Sequence, residues 1–124
     1  MSKRNISMTV VNASSRSING TAWHTSGDGG DNIPSPEPAL AVVNLESFGT
    51  TDAASRDDIV VRNDHDDYWY WEPTDAPGAT RCRKNCKAST IGACLVITDD
   101  LLVVVTSDNG VATQPLSTAA AAAS

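Results

Sequence analysis

Three aspartates and a histidine form the run of residues whose side chains could carry out acid–base or metal chemistry. The run is Asp64-His65-Asp66-Asp67. Paired carboxylates serve as general acid and base when burial separates their pKa values. This run occupies a predicted turn between two strands, where Asp is favoured because it hydrogen-bonds its own backbone. We therefore predict that it is not catalytic and that the protein is not an enzyme.

A second set of residues has the side-chain types of a catalytic triad. His24, Ser26 and Asp28 are close in sequence, but no nucleophile motif of the G-x-S-x-G type accompanies them. The Gly- and Asp-rich loop 25–32 shares its composition with a calcium loop. It lacks the alternating acidic spacing and the distal glutamate of an EF-hand. The sequence predicts a surface turn here and no bound metal.

The three cysteines are Cys82, Cys86 and Cys94. A structural zinc site needs four ligands in paired clusters, and only one C-x3-C pair is present, so we predict neither zinc nor another cofactor. The odd count fits a reducing compartment or at most one disulfide. Pairing of Cys86 with either of the other two remains open. Cys94 lies in a predicted strand and is expected to be a buried, inert thiol.

Four of the nine basic residues surround the cysteines within seven positions: Arg81, Arg83, Lys84 and Lys87. In an acidic chain this is a local field of opposite sign. Arginine supplies a planar fork of donors that fits a phosphate or a carboxylate. The alternative is a solvated loop whose charges balance the acidic turn before it.

Four consecutive aromatic residues, Tyr68-Trp69-Tyr70-Trp71, follow the acidic run. Successive side chains of a strand point to opposite faces, so the tyrosines share one face and the tryptophans the other. A single apolar face does not need aromatics on both sides. We therefore expect one pair in the core and the other towards solvent, a partner or a membrane interface, where Trp and Tyr suit a half-wet environment. Which pair faces outwards is left open.

The elements that must position these residues are short strands. The chain has 124 residues, enough for one domain with its own core. Alternation and turn residues predict strands at 5–13, 17–24, 39–48, 57–62, 68–71, 90–98, 101–107 and 111–113. Because no helical period occurs, we predict an all-β fold: a single-domain antiparallel β-sandwich of seven or eight strands over residues 1–114. Residues 115–124 form an Ala-rich tail predicted to be disordered.

The predicted strands also fix the expected positions of Trp23, of residues 72–87 and of the apolar segment Leu101 to Val105. Composition favours a core position for Trp23 in the second strand, with Gly20 as a bulge. Residues 72–87 are predicted to be a long irregular connection. The segment Leu101 to Val105 is apolar on both faces, which favours a central strand.

The overall charge limits the classes of partner. The net charge of -6 and the isoelectric point of about 4.6 argue against nucleic-acid binding, which needs a basic face. The N-terminal residues have no apolar run of signal-peptide length, and no stretch is long enough for a transmembrane helix. We expect a cytoplasmic protein, or one released by a route that needs no signal peptide.

The order of these features resembles the aegerolysins. The matching pieces are the Asn-Ala-Ser-Ser turn in Val11 to Ser15, the strand Ile18 to Trp23 and the Gly/Asp loop after it. A proline-bearing crossover and the acidic, aromatic stretch Asp66 to Pro73 follow in the same order. The resemblance implies a small acidic β-sandwich that binds specific membrane lipids and can act with a larger pore-forming partner.

The leading hypothesis is therefore a non-enzymatic binding protein that recognises a membrane lipid through exposed aromatic residues. Its candidate ligand-binding residues are Trp23, Tyr68, Trp69, Tyr70, Trp71, Arg81, Arg83 and Lys84. A structural or self-assembling protein is the second hypothesis, with contacts through Leu101 to Val105 and an edge near Pro34 to Pro38. A carbohydrate-binding module that uses the same aromatics for stacking is the third.

Overall fold

The protein is built from nine strands, seen in a computed structural model that describes residues 2–26, 39–61, 66–76, 78–85, 91–107 and 110–116. Within these ranges no residue is helical. The strands are β1 (Ser2–Asn12), β2 (Ile18–Ser26), β3 (Ala39–Leu45), β4 (Ala54–Val61), β5 (Asp66–Pro73), β6 (Thr80–Asn85), β7 (Ile91–Ile97), β8 (Leu101–Thr106) and β9 (Val111–Pro115).

The strands form two sheets. Sheet A has the order β4-β1-β7-β8-β9, and sheet B has the order β3-β2-β5-β6. The predicted all-β sandwich is confirmed. One pair departs from the expected antiparallel arrangement, because β1 and β7 run parallel from Ile6 opposite Ile91 to Asn12 opposite Ile97. A parallel pair needs a long connection between its strands, and here five other strands supply it.

Strand β6 lies in the part of the chain that was expected to be an irregular connection, so that expectation is wrong. Thr80 and Cys82 are buried, whereas Arg81 and Arg83 are exposed. This is the two-residue alternation of a half-buried strand. The pattern is weak in the sequence because its most apolar inward residue is a cysteine. The strand raises the total from the predicted seven or eight to nine.

The core lies between the sheets and is filled by alternate residues of both. In β8, Leu102 and Val104 are fully buried while Leu101 and Val103 are half-buried. Burial of such a side chain contributes roughly 1.5–3 kcal/mol. The largest fully buried apolar side chains are Ile6, Met8, Val10, Trp69, Trp71, Leu95, Ile97, Leu102 and Val104.

The indole of Trp71 crosses the neighbouring strand β2 at Gly20. A Cβ atom at Gly20 would lie 2.7 Å from Trp71 Cη2, and it would also collide with the carbonyl oxygen of Glu72. Only a residue without a side chain allows this approach. The pairing of β2 with β3 is irregular between Ile18 and Gly20, as expected for the predicted bulge.

A buried asparagine fastens the turn that follows β1. The Asn12 side-chain amide donates hydrogen bonds to the carbonyl oxygens of Arg16 at 2.6 Å and Leu45 at 2.9 Å. Its oxygen accepts from the backbone nitrogen of Ser14 at 2.9 Å and from the Ser14 hydroxyl at 2.6 Å. All four hydrogen-bonding positions of the side chain are therefore used. The predicted turn after Asn12 is confirmed.

Strand β3 ends at Leu45, three residues before its predicted end. Phe48 has a φ angle of 65°, in the left-handed region, so an extended strand does not continue to the predicted end. The Phe48 backbone nitrogen donates to the Asn12 carbonyl oxygen at 2.6 Å. Its ring, the sole phenylalanine of the chain, is 82% exposed.

Candidate functional site

The outer face of sheet B brings together five of the eight candidate ligand-binding residues. Two rows of residues cross it from β2 through β5 to β6. In the first row, Trp23 is in register with Tyr70 and Tyr70 with Arg81. In the second, Thr25 is in register with Tyr68 and Tyr68 with Arg83. We call these six residues the sheet B surface: Trp23, Thr25, Tyr68, Tyr70, Arg81 and Arg83.

The rings of Trp23 and Tyr70 stack across the two strands. Their centroids are 5.0 Å apart and their planes differ by 7°. That distance is close to the strand spacing of about 4.8 Å, so each ring stands over its own strand with its face towards the other. The Thr25 hydroxyl lies 3.4 Å from the Tyr70 hydroxyl and donates to it.

Arg81 covers the ring of Tyr68. Its guanidinium carbon lies 5.0 Å from the ring centroid, a distance typical of a cation–π contact. Tyr68 is on the outer face, yet only 7% of its surface is exposed. Arg83 is exposed and lies on the same side of β6 as Arg81. Residues two apart in a strand are about 6.6 Å from each other, which lets both guanidinium groups reach one anion.

The two tryptophans of β5 are placed on the opposite side, in the core. Trp69 is 0% exposed and Trp71 is 1% exposed. The tyrosines are therefore the pair that faces outwards. Neither tryptophan contributes to the sheet B surface, although the sequence analysis included both among its candidate ligand-binding residues.

Trp23 is half-exposed, so its expected core position is wrong. In β2 the inward positions are those of Ile18, Ala22 and His24, all buried. Trp23 falls between them and consequently faces outwards.

Lys84 points away from Arg81 and Arg83. It is half-buried and in register with the buried Asp67. Lys87 lies outside the described residues. Of the four predicted basic residues, two belong to the sheet B surface.

His24 and Asp67 form a buried pair that the sequence analysis missed. His24 Nε2 lies 2.6 Å from Asp67 Oδ1, and the two side chains are 0% and 1% exposed. The His24 ring also packs on Trp69, with ring centroids 4.5 Å apart. In the sequence, His24 had been grouped instead with its near neighbours Ser26 and Asp28. Asp28, Asp64 and His65 lie outside the described residues, as do the side chains of Ser26 and Asp66.

A signal for this pair exists in the sequence. An acidic residue precedes the aromatic strand, and a histidine follows Trp23 near the end of β2. Antiparallel pairing of the two strands brings these ends together, and His24 is in register with Trp69, two residues from Asp67. Two polar residues at matching ends of two apolar strands predict a partnership across the sheet.

A cysteine thiol lies on the same side of sheet B as His24, but across an intervening strand. The thiol on the same side of sheet B belongs to Cys82, which is in register with Trp69. Strand β5 separates β2 from β6, so the backbones at His24 and Cys82 are about 9.6 Å apart. Burial also raises the pKa of the Cys82 thiol, which reduces its thiolate fraction. The pair of His24 and Asp67 thus fastens β2 to β5.

The prediction that Cys94 is buried is wrong, because alternate residues of β7 face opposite sides of sheet A. Ala93, Leu95 and Ile97 face the core, so Cys94 lies on the outer face of sheet A and is half-buried. Cys82 is the buried one, and both are free thiols. Cys86 lies outside the described residues.

Over the described ranges, no three His, Cys, Asp or Glu side chains are grouped so that they could hold a metal ion. The same ranges contain no helix with the length and apolarity needed to span a membrane.

Comparison with protein-family models gives no match for this chain, and comparison with curated proteins gives none. The fold defines the protein as a β-sandwich with one mixed sheet, and the aegerolysin resemblance remains a prediction.

Proposed function

We propose that the protein is a non-enzymatic lipid-binding protein that recognises a phosphate-bearing headgroup at the sheet B surface. The observation that supports this most is the position of Arg81 and Arg83. Both project from one side of β6, next to the outward-facing Tyr68 and Tyr70, in a chain with a net charge of -6.

Two guanidinium groups on one strand face suit a phosphate because each offers parallel N–H donors to two of its oxygens. The contact with the Tyr68 ring holds the Arg81 side chain against the sheet. A side chain already held in one place loses less conformational entropy on binding. The acidic remainder of the chain opposes general adsorption to anionic membranes, so binding depends on this local arrangement.

The aromatic residues favour a lipid over a sugar. The faces of Trp23 and Tyr70 are turned towards each other, and the ring of Tyr68 is covered by Arg81. Sugar stacking needs an open ring face, and each of these contacts covers one face of the rings involved. The indole and phenol edges remain, and such amphipathic edges suit the headgroup depth of a bilayer.

Vesicle co-sedimentation tests the proposal. Phosphatidylcholine vesicles with and without phosphatidic acid are compared for the unaltered protein and for the double variant Arg81→Gln/Arg83→Gln. Charge-assisted hydrogen bonds contribute roughly 1.5–3 kcal/mol each, so loss of two groups should weaken binding to phosphatidic acid vesicles by about 100-fold or more. Arg16→Gln is the matched control, because Arg16 is exposed in the turn after β1, away from the sheet B surface.

Tryptophan fluorescence provides an independent reading of the same surface. Trp69 and Trp71 are buried, so a blue shift on vesicle binding should come from Trp23. The variant Trp23→Phe should bind without the shift. Binding to no vesicle composition, or equal binding by the double arginine variant, would refute the proposal. Binding of oligosaccharides in a parallel titration would move the assignment to carbohydrate.

A further inference from the structure

Among the side chains that the structure describes on β1, β7, β8 and β9, none on the outer face of sheet A is charged. Rows of residues in register cross it from β1 to β9. One row is Thr9, Cys94, Val105 and Val111, and the next is Val11, Val96, Val103 and Thr113. Leu101 and Pro115 continue the face at one end, and Ser7 lies at the other. We call these eleven residues the sheet A surface.

This composition is unusual for the outside of a sandwich. An antiparallel sheet with one solvated face normally alternates apolar residues inwards with polar or charged residues outwards. The outer face of sheet B follows that rule, with Glu72, Arg81 and Arg83. The sheet A surface instead carries valines on four strands, and Val105 and Val111 are 40% and 60% exposed. A contiguous apolar patch of a few hundred Å² is often functional.

The edges of sheet A are protected against further strand pairing, whereas its face is not. Edge strand β9 ends in Pro115, which has no N–H group to offer a new strand. The other edge strand, β4, contains the charged sequence Arg56-Asp57-Asp58. Charged residues and proline are the usual means by which edges resist extension. A protein partner would therefore bind the outer face of sheet A rather than one of its edge strands.

We propose that the sheet A surface binds a second copy of this chain, forming a two-fold symmetric dimer in which two sheet A faces pack together. Flat rows of valine and threonine are self-complementary, as a two-fold interface requires, and two sheets pack face to face at about 10 Å. The net charge opposes association of two copies in general and restricts it to a face without charged side chains. Each copy has a net charge of -6, and contact through an uncharged face avoids placing like charges against each other.

The size of the surface sets the strength of the dimer. Four strands at about 4.8 Å and six residues at about 3.3 Å cover roughly 19 by 20 Å, or about 400 Å² on each copy. Stable complexes bury about 800 Å² on each partner. The dimer should therefore be weak and reversible, with a dissociation constant in the micromolar to millimolar range.

Sedimentation velocity over low micromolar to millimolar protein concentration tests this proposal. The unaltered chain should pass from monomer to dimer within that range. Val103→Lys places an ammonium group near the middle of the face of both copies and should raise the dissociation constant at least tenfold. Val111→Lys, on the exposed edge strand, gives a second reading if the first variant folds poorly.

Val43→Lys is the matched control, because Val43 is 73% exposed on β3 of sheet B and makes no part of the sheet A surface. It should dimerise like the unaltered chain. The reactivity of Cys94 towards a thiol reagent gives a second measurement, because Cys94 lies within the face and should be protected as the protein is concentrated.

A chain that remains monomeric up to millimolar concentration would overturn the proposal. So would a dimer that Val103→Lys and Val111→Lys leave intact, since its contacts would then lie elsewhere. Loss of vesicle binding in these two variants, without any dimer in the unaltered chain, would instead identify the face as a lipid surface and also overturn the proposal.

Discussion

Replacing Gly20 by alanine should destabilise the sandwich, because the new methyl group has no room beneath the indole of Trp71. Its Cβ atom would lie 2.7 Å from Trp71 Cη2 and 2.9 Å from Cζ2, and it would also meet the Glu72 carbonyl oxygen. Carbon atoms pack at about 3.5–4.0 Å, so either the indole or the backbone of β5 must shift. Overpacking of this kind costs roughly 1–3 kcal/mol.

Urea and thermal unfolding, followed by circular dichroism, measure the effect. At roughly 4 °C for each kcal/mol in a chain of this size, the melting temperature of Gly20→Ala should fall by about 4–12 °C. Because the added methyl group would meet the Trp71 ring, the effects of Gly20→Ala and of a change at Trp71 should be coupled. In a Trp71→Phe background the smaller ring should reduce the cost of Gly20→Ala, and a double-mutant cycle measures the difference.

Gly92→Ala is the control, because Gly92 also lies in a strand but its added Cβ atom would lie 3.8 Å from the nearest atom, Ser107 Oγ. It should leave stability unchanged or raise it by up to about 1 kcal/mol, since alanine lowers the entropy of the unfolded chain. Equal stability of Gly20→Ala and Gly92→Ala would refute the reasoning about the indole.

Four further predictions concern single side chains. Asp67→Asn should cost about 1–3 kcal/mol in urea unfolding, because it removes the buried carboxylate that lies 2.6 Å from His24 Nε2; stability equal to that of the unaltered chain would contradict the pairing. Asn12→Asp should cost about 2–4 kcal/mol by the same measurement, since a carboxylate replaces an amide that donates to two carbonyl oxygens, and stability equal to the unaltered chain would contradict it. In variants that each keep a single cysteine, Cys94 should react with a thiol reagent faster than Cys82. Burial raises the pKa of the Cys82 thiol, so ionisation of this thiol opposes folding. The variant that keeps Cys82 should therefore lose stability as the pH rises above about 9.0, the ordinary thiol pKa. Hydrogen bonds from the backbone and hydroxyl of Ser15 lower the pKa of Asp99. The ionised carboxylate therefore stabilises the fold above the ordinary carboxyl pKa of 3.8, and this stabilisation is lost as the pH falls further. The stability difference between the unaltered chain and Asp99→Asn should shrink below that pH, and a constant difference would exclude the effect.

Local patterns predicted much of the fold. The apolar strand β8 and the asparagine turn after β1 both depend on residues close together in the chain. The two faces of β5 followed from alternation alone. Deciding which face is inward required knowing what packs above and below the strand, and this the sequence of one strand does not contain.

Contacts between distant residues were the part that the predictions missed. The pair of His24 and Asp67 joins positions 43 residues apart. The phase of β7, which decides whether Cys94 is inside or outside, depends on how the sheet packs against Trp69 and its neighbours. Strand β6 was missed because its sequence, Thr-Arg-Cys-Arg-Lys-Asn, shows its alternation only when cysteine is counted as apolar.

The parallel pairing of β1 with β7 has a consequence for synthesis of the chain. Strand β1 is made first and lies inside sheet A, but one of its two neighbours begins at Ile91. Sheet B needs only residues 18–85 and can pair its strands while the rest is still being translated. Contacts so far apart in sequence slow folding. A nascent chain therefore carries the first strand with one side unpaired until its last third has left the ribosome, and in that interval this strand is exposed to chaperones and to neighbouring chains.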